Sequence, residues 1–405
     1  MKNGNAQNRR HFLKAGIMSA AGAVIASKTT IAATNSTTGL SSDKKIVYRT
    51  LGKTGIKLPV VSMGVMRADN PALVKAALEK GVLHLDTAHG YQEGRNETML
   101  GKLLKDYPRD SYIISTKIPV NGIDRKTGTF TEDFDDKSFM EKLDTSLERL
   151  QTDHVDFLYL HGMSSREALM HEPVKRCLRK IKKQGKARFV GVSTHRNMAE
   201  VLDAAADSKF YDVVLSSYNF QHNDSAELHA ALEKAGKAGV GIIAMKTMAG
   251  GFFDKERTQR VNTKAALKWA LMNENITTAI PGYTSFDQLD ESFSVMEDLS
   301  LTGNEWKDLK IEDPSASLFC TGCEECIPAC KKGLPVSDLV RAYMYTYGYR
   351  ESAKAREVVM ASGLANASPC DDCDECTVTC SRGFNVAERI NDVARLRDVP
   401  GEFLA

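Results

Sequence analysis

The chain has 405 residues, of which 42% are apolar and 26% charged, and its formal net charge is +2. This composition is ordinary for a globular protein, and the length exceeds what one hydrophobic core usually organises, so two domains are expected. A nucleic-acid partner is not expected, because no basic stripe with interleaved aromatic residues is present. The densest basic run, Lys175 to Arg188, alternates with apolar residues at helical spacing and is interpreted as the solvated face of one helix.

Residues 1–33 are interpreted as an export signal. Arg9 and Arg10 precede a small-residue, mildly apolar run, Ala15 to Ser27, which resembles a twin-arginine signal. The run is shorter than the roughly 20 residues of a transmembrane helix, so no membrane span is expected after signal removal. A disordered tail that happens to contain two arginines is the alternative. The signal predicts a periplasmic protein, and the polar residues 34–45 are predicted to be a linker.

Residues 46–300 are predicted to form a hairpin followed by a (β/α)8 barrel. Alternating residues around glycines from Tyr48 to Pro59 indicate the hairpin. Eight apolar segments then alternate with amphipathic helical stretches, a pattern typical of the α/β fold known as the TIM barrel, whose strands are all parallel. The predicted strands lie near residues 60–65, 82–85, 112–117, 155–160, 188–193, 212–217, 240–245 and 276–280.

Polar residues stand at the ends of successive predicted strands. Asp86 and Tyr91 follow strand two, Lys117 ends strand three, His161 ends strand four and Ser193 ends strand five. Functional side chains of such barrels lie at the C-terminal ends of the strands. A single histidine or lysine at such a strand end is more often structural. The hypothesis of a functional site therefore depends on finding polar residues at several successive strand ends.

Tyr91, Lys117 and Asp86 suit the reduction of a carbonyl group, which needs a hydride donor and an acid. The unperturbed pKa of tyrosine, about 10, is high for an acid. A neighbouring ammonium lowers that pKa by favouring the phenolate, and a carboxylate can hold the ammonium in place. His161 is predicted to donate a hydrogen bond to the substrate oxygen.

The sequence resembles the aldo/keto reductase family over residues 46 to about 300. The resemblance lies in Asp86-Thr87-Ala88-x-x-Tyr91, Ser115-Thr116-Lys117, Asp156-x-x-Tyr159-Leu160-His161 and Gly191-Val192-Ser193. It implies an acid at Tyr91 that Lys117 and Asp86 assist, and a carbonyl-orienting role for His161. It also implies NAD(P)H extended across the barrel mouth and a small carbonyl compound or alcohol as substrate.

The cofactor pocket that this resemblance implies matches less completely. Leu215 stands where many members have a glutamine for the nicotinamide amide, and Gln288 stands where NADPH-preferring members often have an arginine. The choice between NADH and NADPH therefore stays open. The positions expected to contact the cofactor are Ser193, Tyr218, Asn219, Gly250, Gly251, Pro281 and Gly282.

Eight of the nine cysteines form two copies of C-x2-C-x2-C-x3-C. In iron–sulfur proteins with this spacing, three thiolates bind one cluster and the fourth commonly binds the other, so two [4Fe-4S] clusters are predicted. Zinc and disulfides are the alternatives. A twin-arginine signal is associated with export of folded, cofactor-loaded proteins, which favours a metal centre. The copies are Cys320, Cys323, Cys326 and Cys330, then Cys370, Cys373, Cys376 and Cys380; the ninth cysteine, Cys177, is predicted to be in the core.

Residues 301–405 are predicted to form a mostly helical ferredoxin-like domain, because apolar residues recur at turn spacing between the two cysteine repeats. The segment resembles helical two-cluster ferredoxins, although Lys331 and Ser381 replace the proline that usually follows the fourth cysteine. The leading hypothesis is an exported reductase joined to an electron-transfer module, with a redox partner protein. The alternative is an electron-transfer or binding protein on a barrel that no longer turns over nicotinamide.

Overall fold

The computed structural model describes residues 46–371, 373 and 376–404. The predicted signal (1–33) and linker (34–45) lie outside the described residues. The predicted hairpin is confirmed: β1 (Tyr48–Thr50) pairs antiparallel with β2 (Lys57–Pro59). Leu51 and Leu58 of this hairpin are fully buried against Phe157 in the barrel interior. The hairpin therefore closes the end of the barrel opposite the predicted site.

Eight parallel strands form the barrel and confirm the predicted fold. Each strand pairs with the next in chain order. Bridges from Val61 to Ala279 and from Gly64 to Gly282 join the last strand to the first and close the sheet. The strands are β3 (Met63–Gly64), β4 (His84–Asp86), β5 (Ile113–Pro119), β6 (Val155–His161), β7 (Ala187–Thr194), β8 (Val213–Ser217), β9 (Gly241–Met245) and β10 (Ile276–Ala279).

Helices follow the strands and cover the barrel. They are α1 (Pro71–Glu79), α2 (Arg95–Leu104), α3 (Asp136–Leu150), α4 (Arg166–Met170), α5 (Glu172–Lys183), α6 (Met198–Ser208), α7 (Ala226–Lys237), α8 (Thr263–Met272) and α9 (Phe286–Phe293). The basic run lies on the solvated face of α5 only as far as Lys183, and its apolar face, including Cys177, is buried. The prediction of one helix was wrong for the end of the run, because Arg188 belongs to β7 and pairs with Asp156. Among the described residues, no helix is long and apolar enough to cross a membrane.

The C-terminal segment is helical, as expected, and repeats itself. Gly333 and Gly383, which follow the two cysteine motifs, both have positive φ angles, of 65° and 76°. A helix begins three residues after each glycine, so each motif leads into its helix in the same way. The helices are α10 (Gly303–Asp308), α11 (Val336–Met344), α12 (Ser352–Ala361) and α13 (Val386–Ala394), with a π-helical turn over Tyr345–Tyr349.

The C-terminal segment packs on the barrel mouth, and the two form one compact unit. Arg67 Nε lies 2.7 Å from Glu351 Oε1, and Arg196 Nη1 lies 2.7 Å from Glu324 Oε1. Because residue 348 is a glycine, its backbone can lie close to the carbonyl oxygen of Gly250 in the barrel. The domain boundary at residue 300 remains a prediction, but the segment after it forms part of the wall of the barrel mouth.

Replacing Gly348 by alanine is expected to weaken this packing. The added Cβ would lie 2.6 Å from the carbonyl oxygen of Gly250, so the segment must move away from the barrel. Overpacking of this kind lowers the free energy of unfolding by about 1–3 kcal/mol, which urea unfolding measures. Gly303→Ala is the control, because nothing lies within 4 Å of its Cβ position. Equal stability of the two variants would contradict the tight contact.

Candidate functional site

Strand pairing brings Asp86 and Lys117 together at the barrel mouth. Asp86 ends β4 and pairs with Ser115 of β5, so Lys117 extends past it on the same side. Both side chains are buried. The Lys117 ammonium donates to Asp86 Oδ2 at 2.5 Å, to the Thr87 carbonyl at 2.7 Å and to Tyr91 Oη at 3.1 Å. The three residues predicted to supply the acid and its support are therefore in hydrogen-bond contact.

A second row of hydrogen bonds fixes the orientation of Asp86. Ser115 Oγ donates to Asp86 Oδ1 at 2.6 Å and lies 2.9 Å from His84 Nε2. The Asp86 carboxylate thus has a partner for each oxygen. It presents one oxygen to Lys117 in a single orientation, so the lysine in turn is held below the Tyr91 phenol.

The pKa of Tyr91 is raised, opposite to the expected direction. Burial of the phenol raises it, Lys117 lowers it, and Asp86 and Tyr345 raise it further. Although burial lowers the pKa of Lys117, Asp86 and Tyr91 raise it above its ordinary value, so the lysine stays charged. Asp86 compensates much of that charge, which leaves too little field at the phenol to offset burial. Tyr91 therefore keeps its proton at neutral pH.

His161 ends β6 and faces Tyr91. The two rings are almost perpendicular, with centroids 6.2 Å apart. Burial first, and then the charge of Lys117, hold the pKa of His161 well below 6.5. The imidazole is therefore neutral at pH 7 and carries one N–H, which suits a hydrogen-bond donor to a substrate oxygen.

His84, beneath the site, predicts a loss of stability in acid. Burial lowers its pKa to about 4. The unfolded chain therefore binds a proton below pH 6.5 that the folded chain does not bind, so stability falls as pH falls. Between pH 7 and 5 the free energy of unfolding should drop by about 2 kcal/mol from this group. Anaerobic urea unfolding at both pH values should show a smaller drop for His84→Gln. The surface variant His154→Gln should behave like wild type.

A cavity of about 280 Å³ opens at the barrel mouth above these residues. The C-terminal segment supplies Gly348 and Tyr349 to its wall. Of the residues predicted for catalysis or cofactor binding, six line it: Asp86, Tyr91, Gly250, Gly251, Pro281 and Gly282.

Three residues predicted to contact the cofactor lie outside the lining. Ser193 Oγ accepts the Gly162 N–H at 3.0 Å, and the Asn219 amide donates to the Lys246 carbonyl at 3.0 Å. Tyr218 is buried against Trp269, with ring centroids 5.0 Å apart. In this arrangement they hold loops of the barrel mouth, and their contacts with a cofactor stay predictions.

Besides Arg67, which pairs with Glu351, sequence reasoning missed two further arginines that line the cavity, Arg257 and Arg260. They belong to the loop after β9, which folds back so that Phe252 bridges to Arg260. Arg260 pairs with Glu291 at 3.1 Å. Arg257 lies over Phe252 and has no carboxylate partner among the described residues. No sequence motif marks this loop, and only its fold-back direction reveals the arginines.

The eight repeat cysteines form two groups, each drawn from both motifs. Three cysteines of the first motif and the last of the second line one small cavity; the first motif's last cysteine and three of the second line another. The described cysteines form no disulfide. The inner cradle is Cys320, Cys323, Cys326 and Cys380, and the outer cradle is Cys330, Cys370, Cys373 and Cys376.

The chemistry of the cradles fits [4Fe-4S] clusters. Each cradle takes three cysteines from one motif and the fourth from the other motif. Cysteines with this spacing are arranged in the same way in two-cluster ferredoxins. Among the described residues, no group of three or more His, Cys, Asp or Glu side chains is placed to hold a metal ion. The presence of clusters in the cradles therefore stays a proposal. Burial raises the pKa of Cys320 and Cys326 to about 12, so bare thiols there would keep their protons and a cationic core is needed to form thiolates.

Known proteins resemble the barrel region. A model of the aldo/keto reductase family matches residues 61–265. L-galactose dehydrogenase from Arabidopsis thaliana is 30% identical over 302 residues, covering 64% of this chain and 91% of that protein. L-glyceraldehyde 3-phosphate reductase from Escherichia coli K12 is 25% identical over 316 residues, covering 64% and 90%. The holo structure of aldo-keto reductase AKR11C1 from Bacillus halodurans has a TM-score of 0.53 at 22% identity, covering 65% and 95%.

The (β/α)8 barrel with its mouth residues, taken with these relatives, defines an oxidoreductase. The family match carries the assignment further, since it spans the strands that bear Asp86, Lys117 and His161, and the 30% identical relative is covered over 91% of its length. The chain belongs to the aldo/keto reductase family, as its sequence segments indicated. The structural likeness supports the fold.

Proposed function

We propose that the protein reduces a small carbonyl compound, or oxidises the corresponding alcohol, with NAD(P)H bound in the barrel-mouth cavity. The observation that carries this proposal is the chain of contacts from Asp86 through Lys117 to Tyr91, which ends at that cavity. The nicotinamide supplies a hydride to the carbonyl carbon when bound. Tyr91 donates its phenolic proton to the developing alkoxide, which completes the alcohol.

The remaining residues support that proton transfer. As the proton leaves Tyr91, the new phenolate lies 3.1 Å from the Lys117 ammonium, which stabilises it. Asp86 keeps the ammonium in place. The neutral His161 donates a hydrogen bond to the carbonyl oxygen and so orients it. A raised resting pKa keeps Tyr91 protonated and ready to act as the acid.

Positive charge near two glycines supports dinucleotide binding. Gly250 and Gly251 have positive φ angles and leave the backbone open toward the cavity. Arg257, without a carboxylate partner among the described residues, is available to a phosphate.

Titration with NADH and with NADPH, followed by fluorescence, tests the proposal. We expect Arg257→Ala to weaken binding by about tenfold, the equivalent of one modest charged contact. Binding of neither cofactor would overturn the reductase proposal.

The names of the relatives suggest the first substrates to assay. One is an L-galactose dehydrogenase and another an L-glyceraldehyde 3-phosphate reductase. We propose hydroxylated aldehydes and sugars as the substrate class. L-galactose oxidation and L-glyceraldehyde 3-phosphate reduction are the direct assays, with product identified by mass spectrometry.

We further propose that each of the two cradles holds a [4Fe-4S] cluster. The two clusters are proposed to form an electron-transfer module for a redox partner protein. We also propose that a twin-arginine signal directs the protein to the periplasm. The exchange of the fourth cysteine between motifs supports the clusters. Nicotinamide transfers two electrons and a cluster transfers one, so the nicotinamide site and the pair of clusters are proposed to serve different partners. Cell fractionation with and without Arg9→Lys/Arg10→Lys tests the export route.

Iron and sulfide analysis of paired cysteine variants tests the cradles. The wild type, prepared anaerobically, should contain about eight of each per chain. Cys330→Ala/Cys373→Ala removes two ligands of the outer cradle only, so about four irons should remain. Cys330→Ala/Cys323→Ala removes one ligand from each cradle and should lose both clusters. The reverse pattern would show that each motif binds its own cluster, and stoichiometric zinc would overturn the proposal.

A second candidate is an exported electron-transfer or binding protein on an idle barrel. The observation in its favour is that Ser193 and Asn219 lie outside the cavity lining, while Leu215 is buried in the barrel interior. The cofactor titration separates the two candidates. An idle barrel binds neither NADH nor NADPH, yet still carries iron and sulfide.

A further inference from the structure

Two cations, one partly buried and one buried, flank the inner cradle without a carboxylate partner among the described residues. The first is Lys246, which follows β9 in a left-handed backbone conformation, with φ 56°. Its ammonium donates to Tyr345 Oη at 3.0 Å, and no carboxylate among the described residues pairs with it. Lys246 lines the reaction cavity and also a second cavity of about 10 Å³, which Cys320 lines from the other side. It therefore lies between the barrel site and the inner cradle.

The second cation is Arg389 of α13. Its side chain is 7% exposed and lies 3.7 Å from the centre of the Phe384 ring, which lines the inner cradle. One guanidinium nitrogen donates to the Ser315 carbonyl at 2.7 Å, whereas Nη1 is buried and no described residue accepts a hydrogen bond from it. Among the described residues no carboxylate pairs with Arg389. A buried guanidinium with an unused N–H is unfavourable unless negative charge lies nearby.

The outer cradle has the opposite surroundings. Lys331 and Lys332 line it but are exposed, so water screens their charge. The sequence places four carboxylates among its ligands, in Asp371-Asp372-Cys373-Asp374-Glu375-Cys376. The exposure of the cysteine residues does not distinguish the cradles, because each has one exposed cysteine and three partly exposed ones. Glu324 and Glu325 also line the inner cradle, but Glu324 pairs with Arg196 and Glu325 is exposed, so the cations Lys246 and Arg389, which no described carboxylate pairs, are the difference in charge that matters here.

We infer that Lys246 and Arg389 make the inner cradle the more easily reduced of the two iron–sulfur sites. This inference rests on the proposed clusters. One-electron reduction adds a negative charge, which these cations stabilise and which the acidic outer loop opposes. An electron supplied by an external one-electron donor would leave the outer site oxidised and reside at the inner site. Lys246 and Arg389 thus make the inner site the place where a single electron resides.

The barrel holds the inner cradle in position. Asn197, in the loop between β7 and α6, donates its backbone N–H to the Gly322 carbonyl at 2.7 Å. Gly322 has φ +70°, and a Cβ there would lie 2.7 Å from the His195 carbonyl oxygen. The loop bearing Cys320 and Cys323 therefore lies against the barrel backbone. The site where electrons collect is the one in contact with the reductase.

Redox titration of the anaerobically loaded protein, followed by electron paramagnetic resonance, tests the inference. We expect two midpoint potentials. Lys246→Met and Arg389→Met should each shift the higher midpoint downward and leave the lower one unchanged. Lys246→Arg, which keeps the charge, should restore the wild-type value. The matched control is Lys331→Met, an exposed lysine of the outer cradle, which should leave the higher midpoint unchanged.

The variant Cys330→Ala/Cys373→Ala assigns the midpoints, because it retains only the inner cradle. We expect it to titrate at the higher midpoint. Titration at the lower midpoint, or Lys246→Met and Arg389→Met proteins with unshifted higher midpoints, would overturn the inference while leaving the clusters intact. Spin counts identify any variant that has lost a cluster. If a methionine variant loses its cluster, the charge-conserving variant at the same position, Lys246→Arg or Arg389→Lys, is measured in its place. Absence of iron from the wild type would instead overturn the cluster proposal itself.

Discussion

Replacing Tyr91 by phenylalanine is expected to lower kcat/KM for carbonyl reduction by about 10²- to 10⁴-fold, the usual contribution of a general acid. The ring still fills its place beside His161, but the proton donor is lost. Nicotinamide binding should remain within about twofold of wild type, since the phenol hydroxyl is not expected to contribute much to cofactor affinity. Steady-state kinetics and fluorescence titration of the same preparation measure both quantities.

Tyr159→Phe is the matched control for this experiment. Tyr159 is fully buried in the barrel interior, and its hydroxyl has no hydrogen-bond partner in the part of the chain that the structure describes. Removing that hydroxyl should leave activity unchanged and preserve or raise stability, because an unsatisfied buried polar group is lost. Equal activities of Tyr91→Phe and wild type would remove Tyr91 from the proposed mechanism.

Replacing Lys117 by methionine is expected to impair both stability and activity. The side chain of Asp86 is 2% exposed and would be left without its cationic partner. Removing one member of a buried ion pair lowers the free energy of unfolding by about 3–5 kcal/mol. Activity should fall as well, because nothing then stabilises the phenolate of Tyr91. Urea unfolding and kinetics measure the two effects.

A double variant separates these two effects. Lys117→Met/Asp86→Asn removes the uncompensated charge, so much of the lost stability should return, whereas activity should not. Recovery of both would mean that Lys117 serves only to neutralise Asp86. Wild-type stability of Lys117→Met alone would contradict the buried pair.

The strands and the grouping of the candidate site residues were predictable from sequence because their physical causes are local. Alternation of apolar segments marks β3 to β10, and the rule that parallel strands end at one mouth brings Asp86, Lys117 and His161 together. The net direction of the Tyr91 pKa was not predictable. A list of neighbouring charges omits the burial of the phenol, and burial is the largest cause of its shift.

Contacts between distant parts of the chain were also beyond the sequence. Arg67 and Glu351 form an ion pair although 284 positions separate them. Nothing in either local pattern predicts that pairing. The position of Lys246 between two cavities depends on the same docking, since Tyr345 reaches it from the C-terminal segment. Hence the residues that link the two parts emerge only from the three-dimensional structure.

Gly348 and Tyr349 form part of the wall of the reaction cavity, and they lie in the stretch that connects the two cysteine motifs. Occupancy of the cavity and order in the cysteine segment are therefore thermodynamically linked. A ligand that requires the intact wall stabilises the segment, and metal loading that orders the segment strengthens ligand binding by the same factor. Under the proposed cluster assignment, a shortage of iron in the cell would therefore also weaken binding of the small molecule.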